Sequence, residues 1–294
     1  MKTNFIEQFA NRPVMISTER LQHFLAHVAS RRELIEKLGL SRRMQGPDDE
    51  GNNDFEKWYA DYLPNNRVKY SVKNGVATVP VQGVITRMTS RVERMFYGLC
   101  DIDMVASDLM KAANDPSAKV IKMAMNSPGG GCSQVPEVAS LIQRIGKTKP
   151  VVACVDELCA SACAWLAVSA NAVAMTQSAE FGSIGVYIAF LDYSKWLAEE
   201  GIAIDIIKSG ELKATGYPGT SLTPEQRAYL QADVNELYAG FTTHVRAMRT
   251  KKEVPDEAMQ GQSFSAEKAK GYGLVDEIYP DVFSMDEALA KSIG

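Results

Sequence analysis

The feature of this sequence that most constrains its fold is a repeated alternation of strand and helix patterns. Runs rich in apolar and β-branched residues at 119–125, 150–155 and 172–176 predict strands, and the segments 133–146 and 160–170 between them predict helices. Short turns separate these elements, so successive strands are expected to lie parallel with the helices packed over the sheet. We therefore expect an α/β fold.

Elements on the amino-terminal side of this region extend the pattern. A hairpin is expected over 68–85, because two strand-like runs flank the Asn74-Gly75 turn. Residues 101–113 have the spacing of an amphipathic helix. Further strands are predicted downstream at 185–190 and 203–208.

A long helix is predicted at 223–249. Thr223 and Gln226 have the spacing of a capping box, and Pro224 suits the first helical position. Ser265 is then expected to cap a short helix that leads into a last strand at 274–278. These elements complete the main domain.

The first 66 residues look like an addition to that domain. Apolar residues recur at helical spacing within 13–44, namely Leu21, Phe24, Leu25 and Val28. A polar, acidic stretch at 45–54 follows and has the composition of a linker. We expect an N-terminal helical arm with its linker at 1–66, the main domain at 67–280 and a tail at 281–294.

Composition excludes several classes of protein. The net charge of −4 gives no basic field for nucleic acid. The five cysteines are an odd number, which argues against a disulfide scaffold and favours a reducing compartment. No run approaches the roughly 18 apolar residues of a membrane span, and no signal peptide is evident, so a cytoplasmic protein without a membrane anchor is expected.

Two segments could carry chemistry. A glycine-rich turn at 126–131 follows a predicted strand, so its backbone N–H groups could hold an anion or an oxyanion. Ser161 follows the next strand and begins a helix of small apolar residues, where a nucleophile could lie beside a backbone N–H group. Taken alone, each segment is as easily a tight turn or a helix cap.

The choice of a base for Ser161 is open from the residues alone. Of the three histidines, His23 and His27 lie in the arm and His244 lies far along the long helix, so a Ser–His–Asp triad is hard to build. Lys208 and Lys213 both follow the predicted strand at 203–208, and a buried lysine can act as a base. Neither the histidine pair of the arm nor the two cysteines that flank Ser161, Cys159 and Cys163, indicate a metal site. No cofactor is expected.

Four motifs occur in order and together resemble the signal peptide peptidase A (protease IV) family. They are Asn-Ser-Pro-Gly-Gly from Asn126, Ala-Ser-Ala-Cys-Ala from Ala160, Phe-Gly-Ser-Ile-Gly-Val from Phe181 and Lys-Ser-Gly-Glu-Leu-Lys from Lys208. A closing motif at 261–277 is also similar to that family. The likeness runs from about residue 75 to 280. Within the family, the chain most resembles the short branch of tailed phages and prophages that processes capsid proteins.

The resemblance implies a ClpP/crotonase-like spiral of βαβ units and a set of site residues. Ser161 would be the nucleophile and Lys213, not Lys208, the general base, oriented by Ser183. The N–H groups of Gly130 and Ala162 would form the oxyanion hole, although the family usually has glycine at the position of Ala162. The implied partners are a capsid or scaffold protein as substrate and further copies of the chain in a ring.

Three alternatives remain open at this stage. An acyl-CoA enzyme of the crotonase type would need a carboxylate acid or base, and Glu157 is the nearest candidate before Ser161. An inactive shell or scaffold component would need no catalytic residues. A cellular relative would degrade remnant signal peptides.

Overall fold

The computed structural model describes residues 14–16, 69–90, 93–94, 97–190 and 192–293. The strands are β1 (Val14–Ile16), β2 (Ser71–Lys73), β3 (Val76–Gln82), β4 (Val84–Thr86), β5 (Leu99–Asp101), β6 (Val120–Ser127), β7 (Gly129–Gly131), β8 (Val151–Ala160), β9 (Ala172–Thr176), β10 (Glu180–Gly182), β11 (Ser263–Ser265) and β12 (Glu277–Tyr279). The helices are α1 (Ile102–Asn114), α2 (Val135–Gly146), α3 (Ala162–Val168), α4 (Ser194–Glu199), α5 (Pro224–Met248), α6 (Ala266–Gly271) and α7 (Val282–Lys291), with a short 3₁₀ helix at Asp256–Met259.

Within the described residues, the strands form two sheets. The larger has the order β11-β10-β8-β6-β3-β2, and β9 with β12 branches from the first half of β8. Its central strands β3, β6 and β8 run parallel. The smaller sheet has the order β1-β7-β4-β5. The expected α/β fold with a mostly parallel sheet is thereby confirmed.

The parallel strands are buried on both faces. In β6, seven of the eight residues are buried, which is the pattern of a strand covered by helices on either side. Helix α3, in the middle of the core, has all seven residues buried. The small side chains that the sequence provides there let α3 pack closely against the sheet.

Several local predictions hold. The hairpin turns at Asn74 and Gly75, which both have positive φ, as a two-residue turn between twisted strands requires. The long helix begins at Pro224, and the Thr223–Gln226 capping box is formed. The apolar residues that this helix buries, Phe241 and Val245, lie in its second half.

The strands predicted at 185–190 and 203–208 are wrong. The first segment makes a single bridge at Tyr187, and the second has no regular structure. Ile207 is 97% exposed. Alternating β-branched residues favour an extended chain, but a strand also needs a neighbour to pair with. Among the described residues, 185–190 pairs with a strand only at Tyr187, and 203–208 pairs with none.

The helix predicted from residue 13 is wrong at its start. Val14–Ile16 is a strand, because its backbone pairs with β7 on one side and with Tyr187 on the other. The helical spacing came from residues 21–28, which lie outside the described residues, as does the rest of the predicted arm and linker. The division at residue 66 stays a prediction.

Candidate active site

Ser161 lies in the tight turn between β8 and α3. Its backbone angles are φ 57° and ψ −117°, a region that costs a residue with a side chain about 1–3 kcal/mol. Two hydrogen bonds hold it there: its N–H donates to the Gly182 carbonyl at 2.8 Å, and its carbonyl accepts from the Trp165 N–H at 3.1 Å. Strain of this kind is kept where the surrounding structure enforces it, and it is concentrated at functional sites.

The cysteines that flank this serine pack as small apolar residues. Cys159 and Cys163 are both fully buried, with their sulfur atoms 3.1 Å apart. Burial raises the pKa of the Cys159 thiol, so that it stays protonated and unreactive. Both are free thiols, which fits a packing role beside Ser161.

The glycine strand β7 lies against Ser161, and its first two residues, Gly129 and Gly130, have no room for a side chain. A β-carbon on Gly129 would lie 2.9 Å from the Ser161 β-carbon, and one on Gly130 would lie 2.0 Å from the Ile85 carbonyl oxygen. Gly129 also has φ +94°, which glycine adopts without strain. The turn before it is fixed by a hydrogen bond from the Gly129 N–H to the buried Ser127 hydroxyl. The sequence therefore uses glycine here to bring a backbone strand next to a side-chain oxygen.

Ala162 completes the near side of the site. As the first residue of α3, its N–H has no acceptor within the helix. Gly130, on the facing strand, pairs in register with Ile85 of β4 and with Met15 of β1. The fold thus brings Ser161 between two backbone segments whose N–H groups are candidates for an oxyanion hole.

Ser183 is at the end of the strand next to β8. Strand β10 runs parallel to β8 with Gly182 opposite Ala160, so Ser183 and Ser161 follow at the same level. Ser183 is buried, has φ +51°, and donates its N–H to the Gln262 carbonyl at 2.7 Å. The structure therefore places this predicted residue beside the nucleophile candidate.

Lys213 makes no hydrogen bond to Ser161 within the described residues of one chain. It is exposed in a run of turns, where its N–H donates to the Gly210 carbonyl. Across the described residues, its amine makes no hydrogen bond or ion pair. The other candidate, Lys208, donates its amine to the Glu211 carbonyl at 2.6 Å, also at the surface.

His244 lies at the wrong end of α3 to serve Ser161. Its Nε2 is 2.8 Å from the hydroxyl of Ser169, the residue that follows the last turn of α3. Ser169 lies eight positions after Ser161, at the other end of the seven-residue helix, which is about 12 Å along the axis. Burial lowers the pKa of His244 to about 4. His244 therefore packs against the ring of Trp165, with the two ring centres 5.5 Å apart.

Two features near Ser161 escaped the sequence reasoning. One is the strand Val14–Ile16, which contacts β7 beside the serine. Its signal was the pair of β-branched residues Val14 and Ile16 after a proline, and it was outweighed by the helical spacing further along. The other is the contact of Gly129 with Ser161: the glycine-rich turn was a candidate, but its closeness to the serine depends on tertiary packing and has no local signal.

The described part of the chain contains no cluster of His, Cys, Asp and Glu side chains able to hold a metal ion. In that same part, no helix has the length and apolar character needed to cross a bilayer. The site itself offers a buried serine beside backbone amides. That arrangement suits proteins that transfer acyl groups through a serine hydroxyl.

A family comparison agrees with this class. Residues 143–291 match the model of Peptidase family S49, and the chain belongs to that family. The match includes Ser161, Ser183 and Lys213.

Curated relatives include viral and cellular proteins. Capsid assembly protease C of Escherichia phage lambda is 31% identical over 215 residues, which cover 73% of this chain and 49% of that protein. Head-tail preconnector protein GP5 of Enterobacteria phage P21 is 30% identical, and the match covers 71% of this chain and 42% of that protein. Protease 4 of Haemophilus influenzae is 28% identical, covering 88% and 42%. The chain thus spans about half or less of the length of these relatives.

The solved structures that match the chain are more distant in sequence. A mutant of the 1510-N membrane-bound stomatin-specific protease is 18% identical with a TM-score of 0.42, covering 76% of this chain and 86% of that one. An enoyl-CoA hydratase from Mycobacterium avium subsp. paratuberculosis is 17% identical with a TM-score of 0.42, covering 79% and 80%.

Proposed function

We propose that this chain is a serine endopeptidase in which Ser161 is the nucleophile and Lys213 the general base. The observation that carries the proposal is the conformation of Ser161. A buried serine is held in a strained turn, against a glycine strand and the first N–H of a helix. A serine that only capped a helix would relax to an extended conformation and would not need a side-chain-free strand beside it.

The chemistry proceeds through an acyl-enzyme. The neutral amine of Lys213 accepts the proton of the Ser161 hydroxyl while its oxygen bonds to the substrate's carbonyl carbon. The resulting oxyanion accepts hydrogen bonds from the N–H groups of Gly130 and Ala162, each donor lowering the barrier by about 3–4 kcal/mol in comparable sites. The lysine ammonium then protonates the leaving amine as the peptide bond breaks. Water, deprotonated by the same lysine, hydrolyses the ester and restores Ser161.

Ser183 would orient the lysine amine. It lies level with Ser161 on the neighbouring strand, so a lysine that reaches Ser161 from that side can donate a hydrogen bond to the Ser183 hydroxyl. That bond would direct the amine lone pair at Ser161. Ser183→Ala is expected to reduce the rate of cleavage while leaving Ser161 in place.

The exposed position of Lys213 supports a catalytic assembly of several subunits. Large apolar side chains are exposed on the same part of the chain, among them Trp196, Ile202, Ile207 and Tyr217. Exposed apolar side chains that are concentrated in one segment commonly mark a protein interface. In a ring, the segment that carries Lys213 would dock on a neighbouring copy, lose its water and complete the dyad there.

Mixing inactive variants tests this assembly. Ser161→Ala and Lys213→Ala proteins, each without activity, are combined after dissociation and reassembled. Recovery of cleavage in the mixture is expected if each site uses residues of two subunits. A mixture as inactive as its parts would place both residues of the dyad in one chain.

The lysine assignment has a matched control within the same turn. Lys213→Ala is expected to abolish cleavage, whereas Lys208→Ala, which removes an exposed amine five residues away, is expected to retain it. Both variants are assayed by release of fragments from a test protein on gels. Full activity in Lys213→Ala would refute the role of this lysine.

For the substrate, we propose a capsid or scaffold protein processed during assembly of a phage head in the bacterial cytoplasm. The support is the likeness to capsid assembly protease C of phage lambda. Co-expression with the capsid and scaffold genes of the same genome tests it. Shortened partner proteins are expected with the native chain and full-length ones with Ser161→Ala. Degradation of signal peptides without any capsid processing would instead favour a cellular role.

A further inference from the structure

Residues 14–16 of the chain lie in a channel beside Ser161, bonded along both edges. On one side, they pair antiparallel with the glycine strand, Val14 opposite Gly131, Met15 opposite Gly130 and Ile16 opposite Gly129. On the other side, Val14 exchanges two hydrogen bonds with Tyr187: its N–H donates at 2.9 Å and its carbonyl accepts at 3.1 Å. The segment is therefore an inserted strand between two backbones.

The inserted strand lies close to the nucleophile candidate. A β-carbon on Gly129 would lie 2.2 Å from the Met15 carbonyl oxygen and 2.9 Å from the Ser161 β-carbon. The Met15 carbonyl and Ser161 therefore border the same small space, which the missing side chain of Gly129 leaves open. A main-chain carbonyl is also the group that an acylating serine must meet in a substrate.

Side chains anchor the strand in place. Val14 and Ile16 point to one face, where they cluster with Val84 and Leu99, and Met15 points to the other face and is fully enclosed in the main core. Three successive aliphatic residues are thus buried by this channel. The channel fits an extended polypeptide with apolar side chains at these three positions.

We infer that the channel between Gly129–Gly131 and Tyr187 is the binding groove for an extended polypeptide, and that Val14–Ile16 is its self-inhibiting occupant. The inference rests on the proposed peptidase function and adds its regulation. Main-chain bonds on both edges are the usual way in which a protein adds a foreign strand. Because neighbouring strands lie only about 4.8 Å apart, the channel holds one strand at a time. A substrate and residues 14–16 therefore compete for it.

The competition can be measured in the full-length protein through the reactivity of Ser161. The rate of modification by a fluorophosphonate is followed by mass spectrometry for the native chain, Met15→Asp and the matched control Met15→Leu. A charge at a fully buried position is expected to expel the strand, whereas leucine preserves its shape and polarity. If the open groove is a minor state, modification should be about tenfold faster or more in Met15→Asp and unchanged in Met15→Leu. A synthetic peptide of residues 11–20 should then slow the modification of Met15→Asp.

Val14→Pro provides a second test that leaves Met15 in the core. It removes the N–H that donates to the Tyr187 carbonyl, so it is also expected to speed modification. Equal or slower modification of folded Met15→Asp and Val14→Pro would overturn the inference, because the strand would then support the site and not block it. Absence of any modification at Ser161 in all variants would instead refute the proposed function itself.

Discussion

The N–H of Ser161 donates to the carbonyl of Gly182 across 2.8 Å, which ties the strand–helix turn to the end of the neighbouring strand. This bond makes the strained angles of Ser161 and the position of the next residue, Ser183, parts of one local structure. It also engages the Ser161 N–H, so that the amide of Ala162 is the candidate oxyanion donor on this side of the site.

The glycine strand should not accept a methyl group. Gly129→Ala has to strain a φ of +94° and places a β-carbon within 2.9 Å of Ala160 and Ser161 atoms, so it is expected to lower the free energy of unfolding by about 1–3 kcal/mol and to reduce cleavage sharply. Urea unfolding and a cleavage assay measure the two effects. Gly201→Ala is the matched control, because φ there is +71° but no atom lies within 4 Å. If both substitutions cost the same stability, contact with the site is not what requires Gly129.

His244 should be dispensable for catalysis. It bonds to Ser169 at the far end of α3, so His244→Gln is expected to leave the cleavage rate and its pH profile unchanged once folding is confirmed by circular dichroism. Loss of cleavage in a folded His244→Gln protein would restore histidine as the base and argue against Lys213.

The Arg249–Asp276 pair should make the free energy of unfolding depend on pH in the acid range. Burial favours a higher pKa for Asp276, but hydrogen bonds from Arg249, the Val173 N–H and Lys251 outweigh it and hold the pKa at about 2, below the usual 3.8. The unfolded chain therefore takes up a proton first as pH falls. The stabilisation is complete above about pH 4 and is lost between about pH 4 and 2.

Thermal melting of Asp276→Asn and the native chain checks this. At pH 7 the native chain should melt at a higher temperature than Asp276→Asn. This difference in melting temperature should disappear as the pH falls toward 2. Asp205→Asn, at an exposed position, serves as the control and should melt like the native chain throughout. A gap between Asp276→Asn and the native chain that persists at pH 2 would contradict the carboxylate's role.

The cap of the long helix should contribute measurable stability. Thr223→Ala removes the hydroxyl that accepts from the Gln226 N–H, and it is expected to lower the free energy of unfolding by about 1 kcal/mol. Thr223→Ser keeps the hydroxyl and should lower the free energy of unfolding much less. Equal losses in the two variants would show that the capping hydrogen bond is not the source of the stability.

The features that the sequence predicts correctly are those that depend on residues close together in the chain. The Asn74-Gly75 turn, the Thr223 cap and the strand–turn–helix around Ser161 each depend on neighbours within a few residues, and each is found in the structure. The prediction failed at 203–208 and at Val14–Ile16, where the outcome depends on whether a distant strand is available for pairing. Residues 203–208 look like a strand but pair with no strand among the described residues, whereas Val14–Ile16 pairs with β7 and with Tyr187.

The same limit applies to the site. Parallel pairing of β8 with β10 brings Ser161 and Ser183 together. The family resemblance alone indicated Ser183, because the strand pattern did not predict β10. The role of Lys213 came from family resemblance alone, and its exposed position in a single chain leaves the dyad a proposal. No local pattern could reveal that Gly129 borders the nucleophile, since that contact forms only when β7 packs on the turn.

Whether Ser161 is the nucleophile can be decided by locating the covalent adduct of a fluorophosphonate in the full-length protein by peptide mass spectrometry. One adduct is expected, on the peptide that contains Ser161, still formed in Ser183→Ala and absent from Ser161→Ala. An adduct on Ser183, or equal modification of the native chain and Ser161→Ala, would contradict this assignment.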